Sequence, residues 1–343
     1  MSTQTAPKHS PAERVAQLAN GFLISSAISA VVRLNIAETI GDGEMAVDAL
    51  AGKVGANADA LNRVMRLLAS MEIFKQVRER TYANNDGSAA FRTGADGSQR
   101  GFIEFFTDPF HMKMYADMVP TIKDGRPAVE HVTGKNCFEW MKDDPEEQRR
   151  FDDAMTDLSK RSVPAILKAY DFSGIDTLVD IAGGHGMLLT SILQQYPQMK
   201  GVLFDLPHVA SGAQKRIDEM GLTARCSTTG GDFLKSVPAA DAYIMKHIIH
   251  DWDDERCVVL LKNCRSAMRD SGARKLLIVE MILPSSVAEP HPSFFLDIEM
   301  LMLPGGRERT EAEYSALLER SGFKLQNVTH SQSPNSVIEA VPV

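Results

Sequence analysis

Little in this chain points to an oxidising compartment, a membrane or a polyanionic partner. Its four cysteines, Cys137, Cys226, Cys257 and Cys264, form no CxxC pair. Scattered singly through so long a chain, they read as reduced thiols of a cytoplasmic protein. No uninterrupted apolar run is long enough to span a bilayer, and the opening MSTQTAPKHSPAER lacks the apolar core of a signal peptide. Cations are outnumbered, with 37 Lys and Arg against 45 Asp and Glu. A net charge of −8 argues against nucleic acid as the main partner, because phosphate binding needs clustered Lys and Arg. What remains is 44% hydrophobic residues over 343 positions, enough for one large core or two moderate ones. Methionine, a flexible filler of cores and adaptable pockets, occurs 17 times.

The chain has two textures. From Pro11 to about Phe172 it reads as helical, with apolar residues at helical spacing in AERVAQLANGFLISSAISAVVRL. Inside this part, ALAGKVGANADALNRVMRLLASMEIFKQV predicts a helix-turn-helix with Asn57 or Asp59 as cap, and FKQVRERTYAN a two-stranded wing. The recognition helix would carry only Arg63 and Arg66 as cations, so packing or dimerisation suits it better than DNA. After Phe172, TLVDIAG, KGVLFDL, ADAYIMKHI and KLLIVEMIL read as strands buried on both faces of a parallel sheet, with helices between them. GFKLQNVTHS and SVIEAVPV predict a closing antiparallel hairpin. The expected fold is a doubly wound α/β domain over 173–343. A helical connection and pocket wall over 101–172 and a winged-helix-like domain over 1–100 precede it.

Gly183, Gly184 and Gly186 follow the first of these strands, where an open α/β sheet binds its ligands. A dinucleotide loop counted from Gly184 would need a glycine where Leu189 stands, which disfavours an NAD enzyme. Asp205 ends the second strand, where a carboxylate can accept both hydroxyls of a ribose. A nucleoside without a pyrophosphate fits this pair of features; a tight turn beside a solvent-facing acid is the alternative.

Six segments then come in order: DIAGGHG (180–186), FDLPHV (204–209), GGDFL (230–234), MKHIIHDWDDERC (245–257), VEMILP (279–284) and LPGGRERT (303–310). Together they resemble the signature of class I S-adenosylmethionine-dependent O-methyltransferases of the plant caffeate and bacterial phenazine or polyketide type. The resemblance covers nearly the whole chain. It implies a Rossmann-like methyltransferase domain behind a helical, winged-helix-like dimerisation domain, hence a homodimer. It implies S-adenosyl-L-methionine as cofactor. Asp180, Ala182, Gly183, Gly184, Gly186, Asp205 and Leu206 would hold its amino acid and ribose ends, and Asp232, Phe233 and Lys246 its adenine. His250 matches the family's general base, with Glu280 and Glu308 beside it. Phe138, Trp140, Phe151, Met155, Asp251, Met300 and Leu303 would hold a flat aromatic acceptor. One departure stands out: the family usually has glycine where this chain has Ala182.

HIIHDWDDE (247–255) admits three readings. As a metal site it lacks a third ligand at defined spacing, so no metal is expected. As a helix start it is sound, with Asp251 or Asp253 as cap and further acids at the positive end. As a general base, His250 would end the fourth strand at the ligand edge, with Glu280 on the next strand to fix its tautomer. His111, His131, His185, His208, His291 and His330 show no partner pattern and read as structural or exposed. The expected activity is metal-independent methylation of an aromatic hydroxyl on a small planar metabolite. Its rivals are an N-methyltransferase, a non-methylating decarboxylase or hydroxylase on the same fold, and a ligand-sensing DNA-binding regulator.

Overall fold

The structure is a computed structural model that describes residues 10–269 and 274–343. The opening MSTQTAPKH therefore lies outside the described residues. The chain divides into two compact units, one ending at Met112 and the other beginning at Lys113.

In the first unit, helices Val47–Val54 and Ala58–Ser70 form the expected helix-turn-helix. Gly55, at φ 68°, ends the first helix in the left-handed conformation that glycine adopts without penalty. Asn57 caps the second by accepting from the Ala60 amide at 3.0 Å. The wing is β2 (Lys75–Arg78) against β3 (Thr81–Ala83), and β1 (Glu44–Ala46) pairs with the other edge of β3. Ile36, Val47, Leu50, Met65, Leu68, Phe74 and Tyr82 fill the core. Ile103 joins that core, and Phe105 packs edge-on against both Phe106 and His111. The stretch Pro11–Arg33, 23 residues interrupted by Glu13, Arg14, Gln17 and Asn20, contains an 18-residue window of mean hydropathy 1.6, enough by length and composition alone to cross a membrane. Asn20 breaks it into helices Pro11–Ala19 and Gly21–Arg33. The second helix buries Ala27, Val31 and Val32, while Val15, Leu18, Phe22 and Leu23 remain at least half exposed.

The second unit is built on an eight-stranded sheet. Its strands are β4 (Thr177–Ile181), β5 (Lys200–Asp205), β6 (Cys226–Gly230), β7 (Ala242–Lys246), β8 (Lys275–Leu283), β9 (Arg309–Thr310), β10 (Phe323–His330) and β11 (Asn335–Pro342). Their order is β10-β11-β8-β7-β4-β5-β6, with β9 on β8. Strands β4 to β9 pair in parallel, whereas β11 runs antiparallel to both β8 and β10. The predicted strands read as continuous apolar runs because both faces are covered, one by Leu188, Leu189, Ile192 and Ile217, the other by Leu260, Leu261, Leu317 and Leu318. The chain passes from β4 to β5 on one side and to β7 on the other, so a crevice opens at their carboxyl ends. Helix Pro145–Ala169, capped by Asp144, packs beside the helix that follows β4. Strand β7 stops at Lys246, four residues short of the expected end at His250, which sits instead in a 3-10 turn, Ile249–Asp251. Asp253, not Asp251, caps the next helix, accepting from the Arg256 amide at 2.8 Å.

Candidate active site

Between β4 and helix Met187–Gln195 the chain makes a tight loop. Ala182, Gly184 and Gly186 all take positive φ, at 53°, 55° and 75°. The Ala182 amide donates to the Phe204 carbonyl at 2.7 Å, which locks the loop to the end of β5. A side chain on Gly183 would meet the Asp180 carboxylate at 2.7 Å, and one on Gly231 would meet the Phe204 ring at 2.5 Å. Both glycines are therefore required by space. Asp205 accepts from the Gly184 amide at 2.9 Å and from Leu206 at 2.7 Å. Asp180 is buried, and one of its oxygens has no hydrogen-bond partner. Burial pushes its pKa up to about 7, against the pull of Lys246.

This loop forms one wall of a cavity of about 460 Å³, within the range of small-molecule sites. Of the residues singled out from sequence, Asp180, Ala182, Gly183, Gly184, Asp205, Leu206, Asp232, Phe233 and Lys246 line it, as do Phe138, Phe151, Met155 and Asp251. Gly186, Trp140, Met300 and Leu303 do not. Gly186 instead turns the loop into its helix, and Met300 and Leu303 are buried elsewhere in the unit. Reasoning from sequence missed Gln148, Asp152, Met187 and Trp252 in the wall. His185 and His208, read as structural or exposed, are exposed and also line the same cavity. Thr156 lies 3.4 Å from His185, so helix Pro145–Ala169 reaches across to the glycine loop. The signal was present: at helical spacing, Gln148, Phe151, Asp152, Met155, Thr156 and Ser159 share one face.

Behind the cavity wall lies a cluster of ionisable groups. His250 is only 4% exposed. Its Nδ1 is 2.6 Å from Glu308 Oε1 and 3.4 Å from Glu280 Oε2. Its Nε2 lies 3.5 Å from Asp251 Oδ1, on the side of the lining residues. The nearer acid is thus Glu308, not the Glu280 that strand order pointed to. Glu280 faces the turn backbone instead, accepting from the amides of Ile248, Ile249 and His250 at 3.0, 3.1 and 3.4 Å. Burial drives the carboxyls up, Glu280 to about 7, Glu308 to about 8 and Asp251 to about 7. His247 takes φ 56° and its Nε2 meets Asn335 Oδ1 at 2.8 Å. Burial, then Lys246 and His250, hold its pKa well below the usual value.

Residues 115–324 match the O-methyltransferase domain family, and residues 16–94 match the O-methyltransferase dimerisation domain. The chain belongs to the O-methyltransferase family. It is 38% identical over 328 residues to phenazine O-methyltransferase PhzM of Lysobacter antibioticus, covering 95% of each chain. The crystal structure of LaPhzM superposes with a TM-score of 0.92 at 37% identity, covering 98% of this chain and 100% of that one. CalO1, a methyltransferase of calicheamicin biosynthesis solved with S-adenosylhomocysteine, gives 0.84 at 30% identity, with 98% and 100% covered. The cofactor of this O-methyltransferase is S-adenosyl-L-methionine. The residues present fit it: Asp180, with an unpartnered buried oxygen, and the glycine loop beside it both line the cavity.

Ala182 is the one strained position in the methyltransferase's loop that glycine would relieve. Left-handed φ costs a non-glycine residue about 1 kcal/mol. Ala182→Gly should therefore leave stability unchanged or raise it slightly, by up to about 0.6 kcal/mol, after the extra unfolded-chain entropy of glycine (about 0.4–1 kcal/mol) is subtracted. The midpoint of a urea transition reads this directly. A midpoint that falls would show that the strain relieved is smaller than the entropy glycine adds to the unfolded chain.

Proposed function

We propose that this O-methyltransferase methylates an aromatic hydroxyl of a small planar metabolite, without a metal, using His250 as general base. One observation carries the reading: the His250 imidazole has Glu308 on Nδ1 and faces the lining residue Asp251 through Nε2. With Glu308 ionised, Nδ1–H donates to the carboxylate, and Nε2 is left to accept a proton from the acceptor hydroxyl. Phe138, Phe151, Met155 and Trp252 supply flat and soft apolar surface for an aromatic ring. Asp205, Asp232, Phe233 and Lys246 would hold the nucleoside, and Asp180 with the glycine loop the amino acid end. Bound S-adenosylmethionine supplies a methyl group on a sulfonium, already a strong electrophile. The protein's part is alignment and proton removal. A phenol of pKa about 10 and an imidazole of about 6.5 differ by roughly 5 kcal/mol, a tolerable cost that falls if proton loss accompanies methyl transfer.

A second reading has its own support. The ligand atoms of His250, Glu280 and Glu308 lie within 4.8 Å of one another, the third ligand that spacing alone did not reveal. A divalent ion there would act as a Lewis acid. The contact of 2.6 Å between Nδ1 and Glu308 favours a shared proton, since zinc at about 2.0–2.2 Å from each would hold them roughly 3.3 Å apart. Methyl transfer from labelled cofactor, screened over catechols, flavonoids, phenazines and anthraquinone-like polyphenols with excess EDTA, tests both. Turnover should persist in chelator. Loss in EDTA with recovery on magnesium or zinc would establish the metal reading.

The exposed Val15, Leu18, Phe22 and Leu23 support a two-fold homodimer through the first unit. Sedimentation of the active enzyme as a monomer would count against it. Four buried, unpaired cysteines suit a reducing compartment such as the cytoplasm.

A further inference from the structure

The turn that carries His250 is held from outside by the segment Gly306–Arg309. The backbone carbonyls of Ile249, His250 and Trp252 all accept from it. The Arg307 amide donates to His250 O at 2.8 Å. Arg309 Nη1 donates to Ile249 O at 3.0 Å, and Nη2 to Trp252 O at 2.9 Å. Its Nε and Nη2 also reach Asp254 Oδ1, at 3.1 and 2.7 Å. Gly306 presses so closely on the turn that a side chain there would stand 1.9 Å from His250 O.

Arg309 is the largest fully buried side chain among the described residues, at 0% exposure. A buried guanidinium costs several kcal/mol unless paired and hydrogen-bonded, and Asp254 provides the pairing. Consecutive residues of an extended segment point to opposite sides. Glu308 thus meets the imidazole ring while Arg309 grips the backbone on either side of it. We propose that Arg309 is a positioning residue for methyl transfer: it fixes the turn Ile249–Trp252 so that His250 Nε2 and Asp251 face the acceptor. The planar fork matters because it reaches two carbonyls and a carboxylate at once, which a single ammonium cannot do.

This inference rests on His250 acting as the base. Arg309→Lys and Arg309→Ala should lower kcat by about 10²-fold, the scale of a misplacement near 1 Å at a reacting group. Affinity for S-adenosylhomocysteine should stay within about twofold, since Arg309 does not line the cavity. Guanidinium at millimolar concentration should restore part of the turnover of Arg309→Ala but none of that of His250→Ala. If Arg309→Ala does not fold, Asp254→Asn decides. It keeps the arginine but weakens its anchor, and should lower kcat severalfold at unchanged cofactor affinity. Wild-type kcat in a folded Arg309 variant, or in Asp254→Asn, overturns the proposal. So does parallel loss of kcat and cofactor binding without rescue. His250→Ala, measured alongside, separates the two failures: if it keeps wild-type turnover, the base assignment itself is wrong.

Discussion

His250→Ala is expected to lower turnover by about 10²-fold or more on an acceptor of phenol-like pKa, while S-adenosylhomocysteine binds as before. The ring's polar contacts are to Glu308, Glu280 and Asp251, and none is to the glycine loop or Asp205. Its removal should therefore not disturb the nucleoside end of the cavity. Glu308 adds a pH signature. While protonated, its carboxyl donates to Nδ1, and the ring proton sits on Nε2, where it blocks the base. Ionisation reverses this. Since burial lifts Glu308 to about 8, the rate should rise through that region in wild type. In Glu308→Gln the amide oxygen can still accept from Nδ1–H without titrating, so the limb should flatten as the maximal rate falls. Stability moves the opposite way. Glu280 and Glu308 titrate above their ordinary 4.5, so their neutral forms favour the fold. That contribution is complete below pH 4.5 and is lost as pH rises through about 7 to 8. Melting temperature should decline across that window, and less steeply in Glu308→Gln. Wild-type turnover in His250→Ala would make the residue structural and remove the proposed mechanism.

Asp205→Ala carries the second large effect. Its carboxylate already accepts the Gly184 and Leu206 amides, and each oxygen keeps a lone pair for a ribose hydroxyl. Loss of a charged hydrogen-bond acceptor costs ~1.5–3 kcal/mol, roughly tenfold or more in affinity. The loop amides are released at the same time, so the loss should exceed that of a simple contact deletion. Calorimetry with S-adenosylhomocysteine reads it. Burial also raises the Asp205 pKa, so wild-type affinity should weaken with falling pH sooner than an ordinary aspartate would allow, and the variant should lack this dependence. Wild-type affinity in the variant would place the ribose elsewhere.

The strands of the parallel sheet were legible because burial on both faces leaves unbroken apolar runs such as TLVDI and LLIVE. Strand β6, CSTTG, was not, because it lies at the sheet edge and buries only Cys226. Strand β9 spans two residues, too few for any periodicity. The site divides in the same way. Asp205 and the glycine loop follow from their places at strand ends, and His250 with both glutamates follows from motif. Strand adjacency alone chose Glu280 as the imidazole's partner, whereas the chain returns after a helix to bring Glu308 closer. Helix Pro145–Ala169 was expected to contribute Phe151 and Met155 to a pocket wall, and its polar residues Asp152 and Thr156 also face the cavity. A face that is part apolar and part polar gives no clean amphipathic signal.

Strand β11 lies next to β8, pairing Ser336 with Glu280 and setting Asn335 against His247. One edge of β8 therefore stays unpaired until residues beyond 335 have been synthesised. During translation, a nascent chain with every proposed site residue already made still presents an open sheet edge beside Glu280. Activity should therefore appear only once β11 has docked on that edge.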